Sequence, residues 1–246
     1  MRTWMTALPA VSICLVLLAA ATAGCGGGQS ETTQTPAETT TQQETAAMTE
    51  SASETTPAEA ASTGPTATLT YLEGGVTKTK DVPYLPPGRK IATMETTKGV
   101  VKFELWEDKT PNTVVNFVSL ANAGRYDGVD FHRVIDGFMA QTGDVEKKGG
   151  YGGPGYTIPA EFDASRKHVR GVVSMARSSD PNSAGSQFFI MFAAAPNLDG
   201  QYAAFAQVIE GMDVVDALKK GDRSKNGSVT DPDRIVSLRV ESVPAE

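Results

Sequence analysis

The chain has 246 residues, 40% of them hydrophobic, and a formal net charge of -7. The acidity is local: residues 26–68 hold six glutamates and no Lys or Arg, and without that stretch and Arg2 the remainder carries 21 basic against 23 acidic residues. A nearly neutral remainder gives no electrostatic ground for a nucleic-acid partner, and with both cysteines, Cys14 and Cys25, near the N-terminus it has no disulfide framework or Cys-based metal site.

The first residues have the layout of an export signal. Arg2 supplies a positive start, residues 11–21 (VSICLVLLAAA) form an apolar run, and Thr22-Ala23-Gly24 leads into Cys25. This resembles a bacterial lipoprotein signal, in which the Cys is lipidated and becomes the new N-terminus, except that Thr22 stands where an aliphatic residue is usual. An uncleaved signal anchor is the alternative, because residues 5–23 are just long enough to span a bilayer. Both readings place the rest of the chain outside the cytoplasm and tethered to a membrane. Residues 26–68 are Thr, Ser, Ala, Glu, Gln and a few Pro without an aromatic, a composition that cannot offset its ordering entropy. As a flexible coil their ends average roughly 35 Å apart. The expected division is therefore 1–24 signal peptide, 25–68 lipidated Cys and disordered linker, 69–89 an N-terminal extension of undefined structure, and 90–246 a globular domain.

Within that domain, residues 91–97 and 100–105 alternate apolar and polar around Lys98-Gly99, which predicts a hairpin. Residues 110–124 follow with helical spacing: Thr110 can cap, Pro111 suits the first turn, and Gly124 ends the element. Short β-rich runs come next at 129–135, 138–142, 171–176, 187–192 and 203–209, then a helix over 211–220 and a last strand over 234–242. Many short strands with two isolated helices predict an antiparallel barrel or sandwich.

Residues 149–156 (GGYGGPGY) are glycine-dense but lack the Gly-Lys-Ser/Thr of a phosphate loop, so they read as a surface loop that shapes a groove. His132 and His168, the only histidines, have no metal-ligand spacing. No Ser-His-Asp spacing stands out, although such triads are assembled in space. The informative segment is 131–144, FHRVIDGFMAQTGD. Residues two apart on a strand share a face, so Met139 is expected beside Gln141 and Phe131 beside Arg133. A cation and an amide among large apolar groups are what a binding groove needs.

FHRVIDGFMAQTGD resembles the cyclophilin signature, and GVVSMAR (171–177), SQFFIMF (186–192) and LDGQYAAFAQV (198–208) follow in that family's order. The resemblance runs from about residue 90 to 242. It implies a mainly β fold, a closed eight-stranded antiparallel barrel capped by two α-helices, and peptidyl-prolyl cis–trans isomerase activity. It implies Arg133 as the catalytic arginine and Phe138, Met139, Phe189 and Leu198 as the pocket for the proline ring. Gln141 matches a glutamine that binds substrate backbone, with Gln187 beside it and Ala176 and Arg177 along the edge where peptide is laid. His132 and Tyr202 complete the implied substrate-binding set. Asn197 stands in place of a tryptophan important for cyclosporin, so weak cyclosporin binding is expected. No cofactor or metal is implied. The expected partners are proline-containing segments of exported or unfolded proteins, and the absence of heptads makes a monomer the expected state. A cyclophilin-like peptide-binding module or chaperone without turnover is the competing reading; retention of Arg133 in the groove favours the enzyme.

Overall fold

The computed structural model describes residues 64–244. The signal segment, Cys25 and nearly all of the linker lie outside the described residues.

The chain enters through a hairpin of β1 (Thr66–Glu73) and β2 (Val76–Pro83), turned at Gly74-Gly75. β1 takes in Thr66–Thr68, which composition alone assigns to the linker; these β-branched-rich residues pair with Asp81–Pro83. One face of the hairpin is anchored in the core by Leu69, fully buried, and Val82. The extension left undefined by the sequence is thus an ordered part of the fold.

The main sheet contains β3 (Arg89–Thr96), β4 (Gly99–Leu105), β5 (Arg133–Ile135), β6 (Met139–Thr142), β7 (Val172–Met175), β8 (Phe188–Met191), β9 (Ala204–Glu210) and β10 (Ile235–Val243). Its eight strands run in the order β10-β3-β4-β9-β7-β8-β6-β5, every pair antiparallel. The predicted run over 129–135 forms a strand only from Arg133, and Asp130 makes an isolated bridge to Arg234. Around that bridge Gly128 and Phe131 donate to the carbonyls of Ile235 and Asp233, and Ile235 donates to Val129, each at 2.8 Å.

Helix α1 (Pro111–Asn122) buries Val114, Phe117, Val118 and Ala121 completely. Phe117 is the hub of the core, with ring centroids 5.1–5.8 Å from Phe103, Tyr126, Phe188 and Phe205. The expected cap is corrected. Thr110 turns its hydroxyl back to the Trp106 carbonyl, 2.8 Å away, and Glu161 caps the helix from a distant loop. Its carboxylate accepts from the backbone N–H groups of Asn112 (3.0 Å) and Thr113 (2.7 Å), where an anion also meets the helix dipole. The second helix, α2 (Met212–Asp216), is shorter than the ten residues read from the sequence. Past Asp216 the turns tighten to i→i−3 bonds, with Leu218 donating to Val215 and itself buried.

Candidate active site

Strand register alone gathers most of the site. Arg133 on β5 lies opposite Gln141 on β6, Gln141 opposite Phe189 on β8, and Phe189 opposite Ser174 on β7. Directly opposed residues share a face of the sheet with Cβ atoms about 5 Å apart, so an arginine, a glutamine and a phenylalanine form one row across three strands. Beside that row, Leu198 comes from a 3-10 turn at Pro196–Leu198, and Ala176 follows β7 directly. Together they enclose a cavity of about 170 Å³ lined by Arg133, Phe138, Met139, Gln141, Ala176, Arg177, Phe189, Leu198 and Tyr202.

The apolar floor is well buried: Met139, Phe189 and Leu198 expose 1%, 5% and 8%. Tyr202 packs edge-on to Phe189 at 5.8 Å. The Arg177 guanidinium sits 4.7 Å over the Tyr202 ring and 5.5 Å over Phe162. Its N–H groups donate to the carbonyls of Gln201 and Ser178, so it forms a fixed rim.

Arg133 is half-buried and held from two sides by three hydrogen bonds. Nη1 donates to Gln141 Oε1 at 3.1 Å, and Nε and Nη2 each donate at 3.0 Å to Asn226, the first to its carbonyl and the second to its side-chain oxygen. Burial lowers its pKa from the ordinary arginine value, and arginine in proteins keeps its charge. The network continues away from the cavity. Gln141 Nε2 donates to Gln187 Oε1 at 2.9 Å, and Gln187 Nε2 donates to the carbonyls of Gly150 and Gly152 at 2.9 and 2.8 Å.

Gln187 therefore lines an adjoining groove of about 430 Å³, which shares Gln141, Ala176 and Arg177 with the smaller cavity and is walled by Gly150, Gly152, Pro154 and Tyr156. The glycine-dense loop does shape a groove. His132 enters neither space. Its ring faces a small void of about 30 Å³ with Asp144 and Gly150, and burial pushes its pKa below the ordinary histidine value. A Cβ on Gly150 would come within 2.7 Å of that ring, and φ there is +96°, so the loop closes over His132 only with glycine. Phe131 is a second departure. It is buried in the core with Val134 rather than beside Arg133, because the strand begins at Arg133 and alternation does not extend back to Phe131.

A Ser-His-Asp constellation is also present, though its spacing gave no sign of it. His168 places Nδ1 3.1 Å from Asp199 Oδ1 and Nε2 3.1 Å from Ser174 Oγ. Ser174 is completely buried, so its hydroxyl meets no substrate, and the group serves to support the floor: the His168 ring stacks on Phe189 at 6.3 Å. Burial depresses the His168 pKa against the opposing pull of Asp199. Asn226 is the contact that sequence reading missed. Its only sequence sign was the Asn-Gly pair after Asp222, an ordinary turn signal.

Comparison with known proteins agrees with this geometry. The family model for cyclophilin type peptidyl-prolyl cis-trans isomerases matches residues 91–240. A probable peptidyl-prolyl cis-trans isomerase of Brucella suis is 49% identical over 155 residues, covering 58% of this chain and 79% of that protein. A peptidyl-prolyl cis-trans isomerase of Synechococcus elongatus is 46% identical over 134 residues, covering 54% and 90%. Among solved structures, the Cryptosporidium parvum cyclophilin type isomerase in the presence of the dipeptide Ala-Pro aligns with a TM-score of 0.57 at 32% identity, over 62% of this chain and 99% of that one. The chain belongs to the cyclophilin-type peptidyl-prolyl cis–trans isomerases, and rotation about Xaa-Pro bonds is its reaction.

Proposed function

We propose that Arg133 drives this rotation and that the enzyme works outside the cytoplasm, tethered by a lipid on Cys25, on proline-containing segments of exported proteins. The observation that carries the catalytic part is the guanidinium fixed at the edge of a cavity floored by Met139, Phe189 and Leu198. A planar Xaa-Pro amide resists rotation by ~18–20 kcal/mol because its nitrogen lone pair is delocalised. Twisting returns that lone pair to the proline nitrogen. The apolar floor grips the ring while the acyl side turns, and Arg133 donates to the nitrogen as it becomes basic. A guanidinium has five N–H donors; the bonds to Asn226 and Gln141 occupy three, Nη1 also approaches the Met139 sulfur at 4.0 Å, and the second N–H of Nη2 is left for substrate. Such a donor favours the twisted state over either planar one, which is differential stabilisation. Gln141, already fixed by Arg133 and Gln187, is placed to bind the substrate backbone. The bonds around Asp130 and Arg234 support reading the curled sheet as a barrel closed at that seam.

The residues before Cys25 support the lipoprotein reading, and the proposed domain plan keeps the divisions at 24 and 89 while the linker gives way to the ordered hairpin at Thr66 instead of after Thr68. Asn197 is exposed next to Leu198 and offers no broad apolar wall, which supports weak cyclosporin affinity, and the protein is read as a monomer. Two experiments test the proposal. Exchange of a proline tetrapeptide measured by NMR is expected to accelerate strongly with catalytic amounts of protein; peptide binding without acceleration would make the chain a binding module. Replacing Cys25 by Ser should release the protein from the membrane fraction and abolish acyl labelling; an unlabelled wild-type chain retained in the membrane would favour the signal anchor.

A further inference from the structure

We infer that Asn226 is the positioning residue that aims Arg133, so that a surface loop outside the cavity sets the catalytic geometry. The inference rests on the reading of Arg133 as the catalytic donor. Asn226 touches the guanidinium twice, through its backbone carbonyl to Nε and its side-chain oxygen to Nη2, both at 3.0 Å. Two acceptors on one edge of a planar fork fix both its position and its plane. Gln141 holds only the opposite corner, at Nη1. Without Asn226 the guanidinium keeps a single strong anchor and can swing about it.

The loop is built to present that residue. Asp222 caps a short 3-10 turn, Arg223–Lys225, by accepting from Ser224, and the chain is bonded to β5 on either side of Asn226. Gly221 donates to the Val134 carbonyl at 2.9 Å, and Val134 donates to Gly227 at 2.8 Å. Val229 then donates to His132 at 3.1 Å. Asn226 itself has φ +56° and ψ +31°, a left-handed conformation that asparagine tolerates better than most residues. Gly227 also has positive φ, and a Cβ there would collide with Ile135; glycine lets the loop lie against the strand that carries Arg133. Asn226 is exposed and contributes nothing to the hydrophobic core, so a loss of function on its removal is not a loss of packing.

The test is a mutant cycle on isomerisation of a proline tetrapeptide by the full chain, using Asn226→Gly, Arg133→Ala and both together. Glycine suits the left-handed backbone and keeps the carbonyl contact, so it removes only the side-chain acceptor. Asn226→Gly is expected to lower kcat by about tenfold, the scale of one hydrogen bond to a charged group, while KM stays within about twofold. In the Arg133→Ala background it should change nothing further, because a residue that acts through Arg133 has nothing left to aim. An equal loss in both backgrounds, or full activity in Asn226→Gly when Arg133→Ala is crippled, overturns the inference. Full activity in Arg133→Ala would instead overturn the reading of Arg133 itself.

Discussion

The two sides of the groove are made by different means. The cavity side is strand-built: its row of Arg133, Gln141 and Phe189 follows from ladder register, and its floor is sealed by core packing. The opposite side is the glycine-dense loop, whose carbonyls at Gly150 and Gly152 are gripped by one glutamine amide. That loop is braced from outside by the N-terminal hairpin. Leu72 and Thr157 exchange backbone bonds at 2.7 and 3.0 Å, the rings of Tyr71 and Tyr156 meet at 5.2 Å, and Lys80 lies over both. The hairpin is outside the segment matched by the family model. On the proposed role of Arg133, chemistry is carried by the part fixed by strand register, while a hairpin outside the family segment props the part fixed by side-chain bonds.

This contrast is open to attack by mutation. Phe189→Ala strikes the strand-built side and should be the most damaging to the fold, destabilising it by about 3–5 kcal/mol as buried phenylalanines do; urea unfolding measures it, and a loss below about 1 kcal/mol would mean the floor is not tightly packed. Gln187→Ala cuts the joint between the two sides. A loss of roughly 1–2 kcal/mol of transition-state stabilisation, about tenfold in kcat/KM, is expected on a proline tetrapeptide. Wild-type turnover there would show that Gln141 is positioned without it. Tyr71→Ala strikes the brace, removing a ring pair worth about 0.5–1.5 kcal/mol beyond its buried area. Hydrogen exchange at the Thr157 amide should quicken while tetrapeptide turnover stays within about twofold, and unchanged exchange would detach the hairpin from the loop.

The smallest effect is on pH dependence. His132 and His168 both have their pKa values depressed, in each case chiefly by burial, so the native state keeps them neutral where the unfolded chain takes up protons at about pH 6.5. More protons on the unfolded chain means lower stability as pH falls. Stability should be fully present above about pH 6.5 and decline below it until the native pKa values are reached. Unfolding midpoints between pH 7.5 and 5.5 test this, and a flat profile would contradict it.

Much of this was legible in the residues. Alternation placed β3 and β4 and β-rich runs the later strands, Thr110, Pro111 and Gly124 marked the ends of α1, and FHRVIDGFMAQTGD with SQFFIMF held the row that register then assembled. What escaped depends on long-range partners or weak patterning. In the hairpin, β2 exposes every residue except Val82, so no apolar period marks it. Glu161 caps α1 from 49 residues away, and Asn226 reaches Arg133 across 93; no local spacing encodes such contacts. His132, implied in the binding set beside Arg133, points away from the cavity because neighbouring residues in extended chain face opposite ways, here under Gly150.

The most direct test of the central claim is to compare Arg133→Ala with wild type in two readings, catalysed exchange of a proline tetrapeptide and equilibrium binding of the same peptide. A donor that acts in the twisted state predicts kcat lowered by about 10²–10³-fold with binding changed only a few-fold, because the floor of Met139, Phe189 and Leu198 remains. Turnover kept near the wild-type level, or lost only in proportion to lost binding, would contradict it.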